Sequence, residues 1–454
     1  MEARQVRTAA DARRIVKERG LSHVKVGVHD IDGILRGKYI HIDKFHSALE
    51  GGMGFCDVVL GWDANDQLYD NVTYTGWHTA YPDAMVRLLP ETCREIATEP
   101  GNLLFLCEFV ERAEELCPRG VLRRVLARAH EMGFEVKVGF EYEFFVFAET
   151  PFSIREKGYR NLKPISPGFF GYSVLRNSVL SDWYKDLLAM CETMDMGIEG
   201  LHTETGAGVL EAALRVQDGL RAADGAALFK LYTKVLAQKR DWLATFMAKW
   251  SKDWPGCGGH MHMSLWKGGK SAFYDDKAPH HMNTTMRHFV GGQQALMPEL
   301  LAMVASNVNS YRRLIPGFWA PTVSSWGVEN RTTSLRVIPG SAKSTRVEYR
   351  VAAADANPYL ALAAAVGSGL WGIENKIDPG EPIKGNSYDK KHPAKSQLPR
   401  TLMEAAGRLK ASKPARELFG EAFVDHYSAT REWEEREFRK AITDWELDRY
   451  MEII

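Results

Sequence analysis

The stretch GFEYEFFVF, residues 139–147, places two carboxylates inside one of the most apolar segments of the chain. In a β-strand, residues two apart share a face, so Glu141 and Glu143 point to one side and the aromatic residues between them to the other. Burying charge is costly unless something compensates it. The pattern therefore predicts a strand with a polar face, which is either salt-bridged or opposite another charged partner.

Further carboxylates and imidazoles occur in other segments with spacing typical of strands and turns. They are Glu204 and Glu211 in HTETGAGVLE, His260 and His262 in GGHMHMS, and Glu348 in RVEYR. A single histidine is commonly a core residue whose ring nitrogens are hydrogen-bonded. Five carboxylates and a strand histidine spread over several segments instead indicate a cation site. Mostly oxygen ligands with one imidazole suit Mg²⁺ or Mn²⁺ better than structural zinc.

Arginine and lysine residues supply a second set of candidates. They are Arg313, Arg331, Arg336, Lys343, Arg346 and Arg350. Planar guanidinium groups bind phosphate and carboxylate oxygens with two hydrogen bonds. Surface solvation is the alternative interpretation and accounts for several of them. Carboxylate-held divalent metals beside arginines are what phosphoryl transfer to a carboxylate requires.

Two segments resemble nucleotide-binding motifs, but neither matches its motif in full. WKGGKS, residues 266–271, resembles the end of a P-loop, but the first glycine of that motif would fall at Ser264. GAGVLE, residues 206–211, lacks the third glycine of the dinucleotide fingerprint. If ATP binds to this chain, we expect it to bind in another fold.

Composition excludes several classes of protein. Lys plus Arg and Asp plus Glu both number 58, which argues against a general role on nucleic acid or on a membrane surface. The six cysteines form no C-x-x-C pair, so neither a zinc site nor a disulfide framework is indicated. The N-terminus has no apolar secretory core, and the apolar run from Tyr359 is too short to span a bilayer. We expect a cytoplasmic protein.

The order of patterns predicts an α+β chain with two domains. A β-rich opening follows an initial helix, with strands around the turn Asp30–Gly33, and residues 61–83 form a long loop. A buried strand at 103–110 precedes a helix that begins at Pro118. The predicted boundary lies near residue 112, which divides the chain into 1–112 and 113–454.

Taken in order, these motifs resemble the glutamine synthetase family over nearly the whole chain. They are the RGK-bearing opening, GFEYEFF, HTETGAGVLE, ATFMAKW, GGHMHMS, NSYRRLIPG, ENRTTSLRV, and RVEYR followed by ANPYLALAA. The branch that ligates glutamate to polyamines, alkylamines or arylamines is the most similar. The resemblance implies an N-terminal β-grasp domain, a C-terminal catalytic domain, and a dodecamer of two stacked rings with active sites between subunits.

The resemblance also implies roles, carried over position by position. The ligands of one divalent metal would be Glu143, Glu204 and Glu211, and those of the other Glu141, His260 and Glu348. Glutamate would be held by Arg313 and Arg350, with Gly256 lining its site, and the phosphate clamp would be Arg331 and Arg336. Nucleotide-site positions would be Glu199, His262, Ser264 and Lys343. Asp63 falls in the loop from which an aspartate of the adjacent subunit would help to deprotonate the amine, and Tyr388 lies near a tyrosine that some members adenylylate. For an alkylamine, which arrives protonated, Asp63 or Asp66 is the candidate base.

Three positions depart from the family pattern. Trp319 stands where the family flap carries a glutamate at the ammonium site, Pro255 where it has a glutamate-binding asparagine, and Val209 where glutamine is common. These departures leave the phosphoryl-transfer residues intact and put ammonia in doubt as the acceptor. The sequence therefore favours a γ-glutamyl–amine ligase. An ammonia-using glutamine synthetase and a catalytically inactive member of the fold are the alternatives.

Overall fold

The computed structural model describes all 454 residues, and a six-stranded mixed sheet occupies the first part of the chain. Its strand order is β2-β1-β6-β4-β3, with β5 on β6, and only β1 and β6 pair in parallel. The strands are β1 (His23–His29), β2 (Leu35–His41), β3 (Met53–Cys56), β4 (Asp83–Leu88), β5 (Arg94–Glu95) and β6 (Leu103–Phe109). Helices α1 (Ala9–Glu18) and α2 (Ile42–Gly51) accompany them.

A ten-stranded sheet forms the centre of the remaining chain, in the order β14-β15-β16-β12-β7-β9-β8 with three short strands attached at its sides. Its strands are β7 (Glu135–Phe147), β8 (Ile198–Thr203), β9 (Val209–Leu214), β10 (Gln217–Asp218), β11 (Leu243–Thr245), β12 (Gly259–Lys267), β13 (Lys270–Ser271), β14 (Trp326–Val328), β15 (Leu335–Ile338) and β16 (Arg346–Tyr349). The predicted mixture of helix and sheet is confirmed.

Helices make up much of the rest of this part of the chain. They are α3 (Pro118–Glu131), α4 (Pro151–Glu156), α5 (Val174–Val179), α6 (Ser181–Thr193), α7 (Gly219–Gln238), α8 (Thr284–Val304), α9 (Ser310–Arg313), α10 (Pro358–Glu374), α11 (Leu402–Ala411), α12 (Lys413–Phe419), α13 (Glu421–Phe438) and α14 (Asp444–Tyr450). None of the helices is both long and apolar enough to cross a membrane.

The aromatic face of β7 explains how the sheet is anchored. Tyr142 and Phe144 are buried, and their rings lie 6.1 Å and 5.9 Å from the ring of Phe229 on α7. Since side chains alternate along a strand, Glu141 and Glu143 then face the opposite side of the sheet. One hydrophobic cluster of 110 buried residues includes members of both sheets, so continuous apolar packing runs from one sheet to the other. The domain boundary near residue 112 stays a prediction.

The segment that resembles a P-loop is a β-hairpin. Trp266 pairs with Ser271 and Lys267 with Lys270, which leaves Gly268 and Gly269 as the two turn residues. Both glycines have positive φ, 56° and 74°, as a tight two-residue hairpin turn requires. A phosphate-binding loop would instead lead into a helix, so the sequence-based rejection of this motif is confirmed.

Candidate active site

Strand register brings the predicted metal ligands together. His260 on β12 pairs with Glu141 on β7, and Glu143 on β7 pairs with Glu211 on β9. His262 on β12 pairs with Glu348 on β16. Residues directly opposite each other in an antiparallel pair have neighbouring side chains. Three strand pairings therefore collect on one face of the sheet residues that lie up to 207 positions apart in the chain, from Glu141 to Glu348.

A cavity of about 550 Å³ lies over this face. All six predicted metal ligands line it, together with the predicted glutamate, phosphate and amine positions. These further lining residues are Gly256, Arg313, Trp319, Arg331, Arg336 and Arg350. The volume lies within the range usual for small-molecule sites.

Within the cavity, donor atoms form three close groups. Each group has its atoms within 4.8 Å of one another: Glu141, Glu211 and His260; Glu141, His262 and Glu348; and His202, Glu204 and Glu211. Glu143 belongs to none of these groups, and one of its carboxylate oxygens accepts a hydrogen bond of 2.5 Å from Gly258 N. The close groups are thus centred on Glu141 and Glu211 rather than on the two predicted triads.

The carboxylates of the cavity are unequal in their electrostatics. Burial, together with the nearby charges of Glu141 and Glu143, raises the pKa of Glu211 to about 8, although a hydrogen bond with His202 acts in the opposite direction. Burial opposes ionisation of Glu141 too, but hydrogen bonds with His260 and His262 hold its pKa well below the usual range. A divalent cation bound among these carboxylates would favour the ionised form of Glu211.

The donor set fits divalent magnesium or manganese. It is rich in carboxylate oxygens, contains imidazole nitrogen and lacks thiolate, which is the chemistry that these ions prefer. Glu141 and Glu211 each belong to two of the close groups, as shared ligands between adjacent ions would. The assignment of particular residues to particular ions stays a prediction.

The arginines present donors to the cavity with some of their hydrogen-bonding capacity unused. Arg313 is buried and donates to the carbonyls of Val351 and Arg350, at 3.0 Å and 3.2 Å. Arg350 forms an ion pair with Glu348, and its buried Nε has no hydrogen-bond partner. Because an unpaired buried donor is costly, this atom indicates an anionic ligand. Arg331 is exposed at the cavity, where it is free to approach a phosphoryl group.

A second cavity of about 730 Å³ adjoins the first, and Glu141 lines both. All four predicted nucleotide-site residues line it, namely Glu199, His262, Ser264 and Lys343. Arg346 also lies there and donates to His262 Nδ1 at 3.2 Å. A nucleotide in this cavity would direct its phosphates past Glu141 toward the carboxylates and arginines of the first.

Asp63 lines neither cavity of its own chain. Its carboxylate accepts hydrogen bonds from the backbone of Asn65 and Gln67, both 2.8 Å long. Asp66 is paired with Arg36 at 2.6 Å. The loop is therefore well ordered by local contacts, and a role for Asp63 in catalysis requires a second copy of the chain.

Three residues of the site were not predicted from the sequence. His202 lies with Nε2 3.0 Å from Glu211 Oε1, and the ring of Tyr172 stacks on it at 4.2 Å. Phe318 lines the cavity beside Trp319. The alternation that selected Glu141 and Glu143 would also have selected His202, two residues before Glu204. No sequence pattern marked Tyr172 or Phe318.

Comparisons with known proteins agree with this geometry. The family model described as glutamine synthetase, catalytic domain, matches residues 115–450. Type-1 glutamine synthetase 2 of Dictyostelium discoideum is 46% identical, over 95% of this chain and 84% of its own. A glutamate–isopropylamine ligase of a Pseudomonas species is 34% identical over 97% of each chain.

Further matches extend to a third relative and to a solved structure. A γ-glutamylethanolamide synthetase of Streptomyces coelicolor is 33% identical, over 93% of this chain and 91% of its own. A solved complex of GmaS with ADP superposes with a TM-score of 0.84 at 25% identity, covering 97% of this chain and 99% of that one. The chain therefore belongs to the glutamine synthetase family, as an ATP-dependent ligase.

Proposed function

We propose that this enzyme joins the γ-carboxylate of L-glutamate to an organic amine. The observation that carries the proposal is that Val209, Pro255 and Trp319 line one cavity with the carboxylates and arginines. Each of these residues is apolar or aromatic where the family pattern has a polar side chain. An apolar wall beside the reacting groups favours an acceptor with a hydrophobic substituent over ammonia. Relatives named for isopropylamine and ethanolamide chemistry support the same assignment.

The proposed reaction has two steps. A γ-carboxylate oxygen of glutamate attacks the terminal phosphorus of ATP, which breaks the bond to ADP and forms γ-glutamyl phosphate. The amine nitrogen then attacks the carbonyl carbon of the γ-glutamyl phosphate, phosphate leaves, and the nitrogen loses a proton. Arg313 and Arg350 hold the glutamate carboxylates, while Arg331 and Arg336 stabilise the charge on the transferred phosphoryl group. Two Mg²⁺ or Mn²⁺ ions at the glutamate cluster, when bound, would neutralise the phosphates of ATP.

We further propose that the active enzyme is a homo-oligomer, a dodecamer of two rings by family resemblance. Asp63 is remote from the cavities of its own chain, so its part in amine deprotonation rests on an adjacent subunit. Mixing an Asp63→Ala variant with a Glu211→Ala variant should restore part of the activity through hybrid sites. A monomer in analytical ultracentrifugation would contradict the shared site.

Trp319→Glu tests the choice of acceptor. A flap carboxylate attracts ammonium and accepts its proton, whereas the indole N–H is only a donor. We expect the variant to lose activity with an apolar amine, by about tenfold or more, and to gain activity with ammonium. Phosphate release with glutamate and ATP present is the measurement. Trp77→Glu is the matched control, because Trp77 is 81% exposed and lines neither active-site cavity.

The results distinguish the proposal from its alternatives. If the unmodified enzyme already prefers ammonium to alkylamines and arylamines, the chain is an ordinary glutamine synthetase, as the Dictyostelium relative is named. If it releases no phosphate with any acceptor, the chain is an inactive member of the fold. The filled set of predicted ligands argues against the second outcome.

A further inference from the structure

Three aromatic side chains expose large surfaces to the active-site cavity. Tyr172 is 68% exposed, Trp319 61% and Phe318 36%, and all three line the cavity that contains the glutamate cluster. Aromatic rings of this size carry much apolar surface, which costs free energy when water covers it. Their presence in the lining of a polar catalytic cavity indicates a binding surface for an apolar part of a substrate.

Tyr172 is held in place by contacts on one side only. Its backbone N–H donates to the carbonyl of Thr203 at 2.7 Å, and the next residue, Ser173, donates to the Thr203 hydroxyl at 2.9 Å. Its ring is stacked on His202 with 25° between the planes. Since the side chain remains mostly exposed, the ring face away from His202 is open to the cavity.

The flap that carries Phe318 and Trp319 is anchored on both sides of the tryptophan. The ammonium of Lys249 lies 4.4 Å from the centre of the Phe318 ring and donates to the Trp254 carbonyl. On the other side, the hydroxyl of Tyr388 donates to the Ala320 carbonyl at 3.0 Å. These contacts hold the flap while leaving the Trp319 ring itself exposed. Trp319 is also in the left-handed region, with φ 59°, as residues at ligand-binding positions often are.

The charged side chains near this surface affect which amines it would bind. All the acidic residues that line the cavity are the five predicted metal-ligand glutamates. The Phe318 ring already has the Lys249 ammonium near it, and Arg331 adds a further positive charge to the cavity. Within its own subunit, a second ammonium on the acceptor would find no carboxylate outside the metal cluster and would lie near two cations. The Asp63 proposed to enter from an adjacent subunit is needed for the reacting amine, so the charges of the cavity disfavour a polyamine.

We propose that the acceptor is a primary amine with one amino group and an aromatic ring, which binds between Tyr172 and Trp319. This inference rests on the proposed amine ligase and specifies its substrate class. Ring-on-ring contacts contribute beyond the surface that they bury, which an aliphatic substituent of equal size does not obtain. Tyr172 is then a specificity-determining residue, because its open face contacts the ring of the acceptor.

The test compares 2-phenylethylamine with 2-cyclohexylethylamine, which has a similar size and charge but no aromatic ring. With ATP and glutamate saturating, we expect kcat/KM for the aromatic amine to be about three- to tenfold higher. In Tyr172→Leu this ratio should fall toward one, because only Trp319 then remains beside the ring, whereas Tyr172→Phe should retain it. The KM values for ATP and glutamate should change little in either variant.

Controls separate this inference from the function on which it rests. Tyr159→Leu removes another exposed tyrosine that lines neither active-site cavity, and the ratio should stay unchanged in it. Equal rates with both amines, or fastest turnover with 1,4-diaminobutane, would overturn the aromatic acceptor and leave the amine ligase standing. Fastest turnover with ammonium would overturn both.

Discussion

Glu141 occupies the position where the two cavities of the site meet. It lines both of them, pairs with His260 across the strands, and lies with Oε1 2.9 Å from His260 Nδ1. It also belongs to two of the three close groups of donor atoms. A single carboxylate thus connects the predicted nucleotide site to the predicted metal cluster.

Removal of Glu141 should therefore affect cation binding as well as turnover. In Glu141→Ala we expect glutamate-dependent ATP turnover to be lost and Mn²⁺ affinity to fall by about tenfold or more, because a charged ligand is gone. Titration of Mn²⁺ by electron paramagnetic resonance measures binding independently of activity. Glu135→Ala is the control, since Glu135 lies on the same strand but is exposed and outside both cavities. Unchanged Mn²⁺ binding in Glu141→Ala would remove it from the ligand set.

At the scale of elements, glycine residues allow α8 and α10 to pack closely against each other. A Cβ atom on Gly292 of α8 would lie 2.5 Å from Gly372 Cα on α10 and closer still to the Ser368 carbonyl oxygen. Backbone atoms there have no room to yield, since both helices are buried at this point. Asn357, the N-cap residue just before α10, donates from its side chain to the backbone carbonyls of Asp30 and Ile31, which connects α10 to the first part of the chain.

Gly292→Ala should separate these helices and destabilise the protein by on the order of 2 kcal/mol, the usual cost of overpacking. Gly407→Ala is the matched control, because Gly407 is exposed in α11 with no atom within 4 Å of its added Cβ. There we expect a gain of about 0.5–1 kcal/mol from helix propensity alone. Urea denaturation followed by circular dichroism measures both. If Gly292→Ala unfolds at the same urea concentration as the unmodified protein, or at the same concentration as Gly407→Ala, the two helices adjust to the added methyl group without loss of stability.

At the scale of the whole molecule, side chains of α13, near the end of the chain, form ion pairs and hydrogen bonds with residues of its first part. Arg431 is 1% exposed and bonds to Asp32 at 2.8 Å, while Arg436 on the same helix bonds to Asp70 at 2.5 Å with both side chains well exposed. His426 Nε2 lies 2.8 Å from the Leu60 carbonyl. Two similar ion pairs therefore connect the same regions, one buried and one in solvent.

Arg431→Met should destabilise the protein much more than Arg436→Met. Loss of one partner of a buried pair leaves a desolvated charge and costs about 3–5 kcal/mol, whereas an exposed pair contributes about 0–1 kcal/mol. Thermal unfolding at constant pH and salt measures the difference. Raising the salt concentration should reduce the small Arg436 effect and leave the Arg431 effect in place. If both substitutions lower the melting temperature equally, burial does not decide the strength of these pairs.

Much of this architecture follows from local patterns in the sequence. Alternation along GFEYEFFVF predicted which face of β7 is polar, Ser264 at the place of the first P-loop glycine excluded that motif, and the order of motifs indicated the family. Such signals are readable because strand alternation and turn geometry are properties of consecutive residues. All six predicted metal ligands and all four nucleotide positions do line cavities. Their individual roles stay predictions.

Strand register and loop packing were decided only by the tertiary structure. The sequence by itself determined that Glu141 and Glu143 share a face, but only the pairing of β7 with β12 and β9 places His260 and Glu211 opposite them. Tyr172 stacks on His202, 30 positions away, and Lys249 contacts Phe318, 69 positions away. No periodic pattern in the sequence indicates either contact. Contacts of this kind depend on how whole elements pack, which local sequence does not encode.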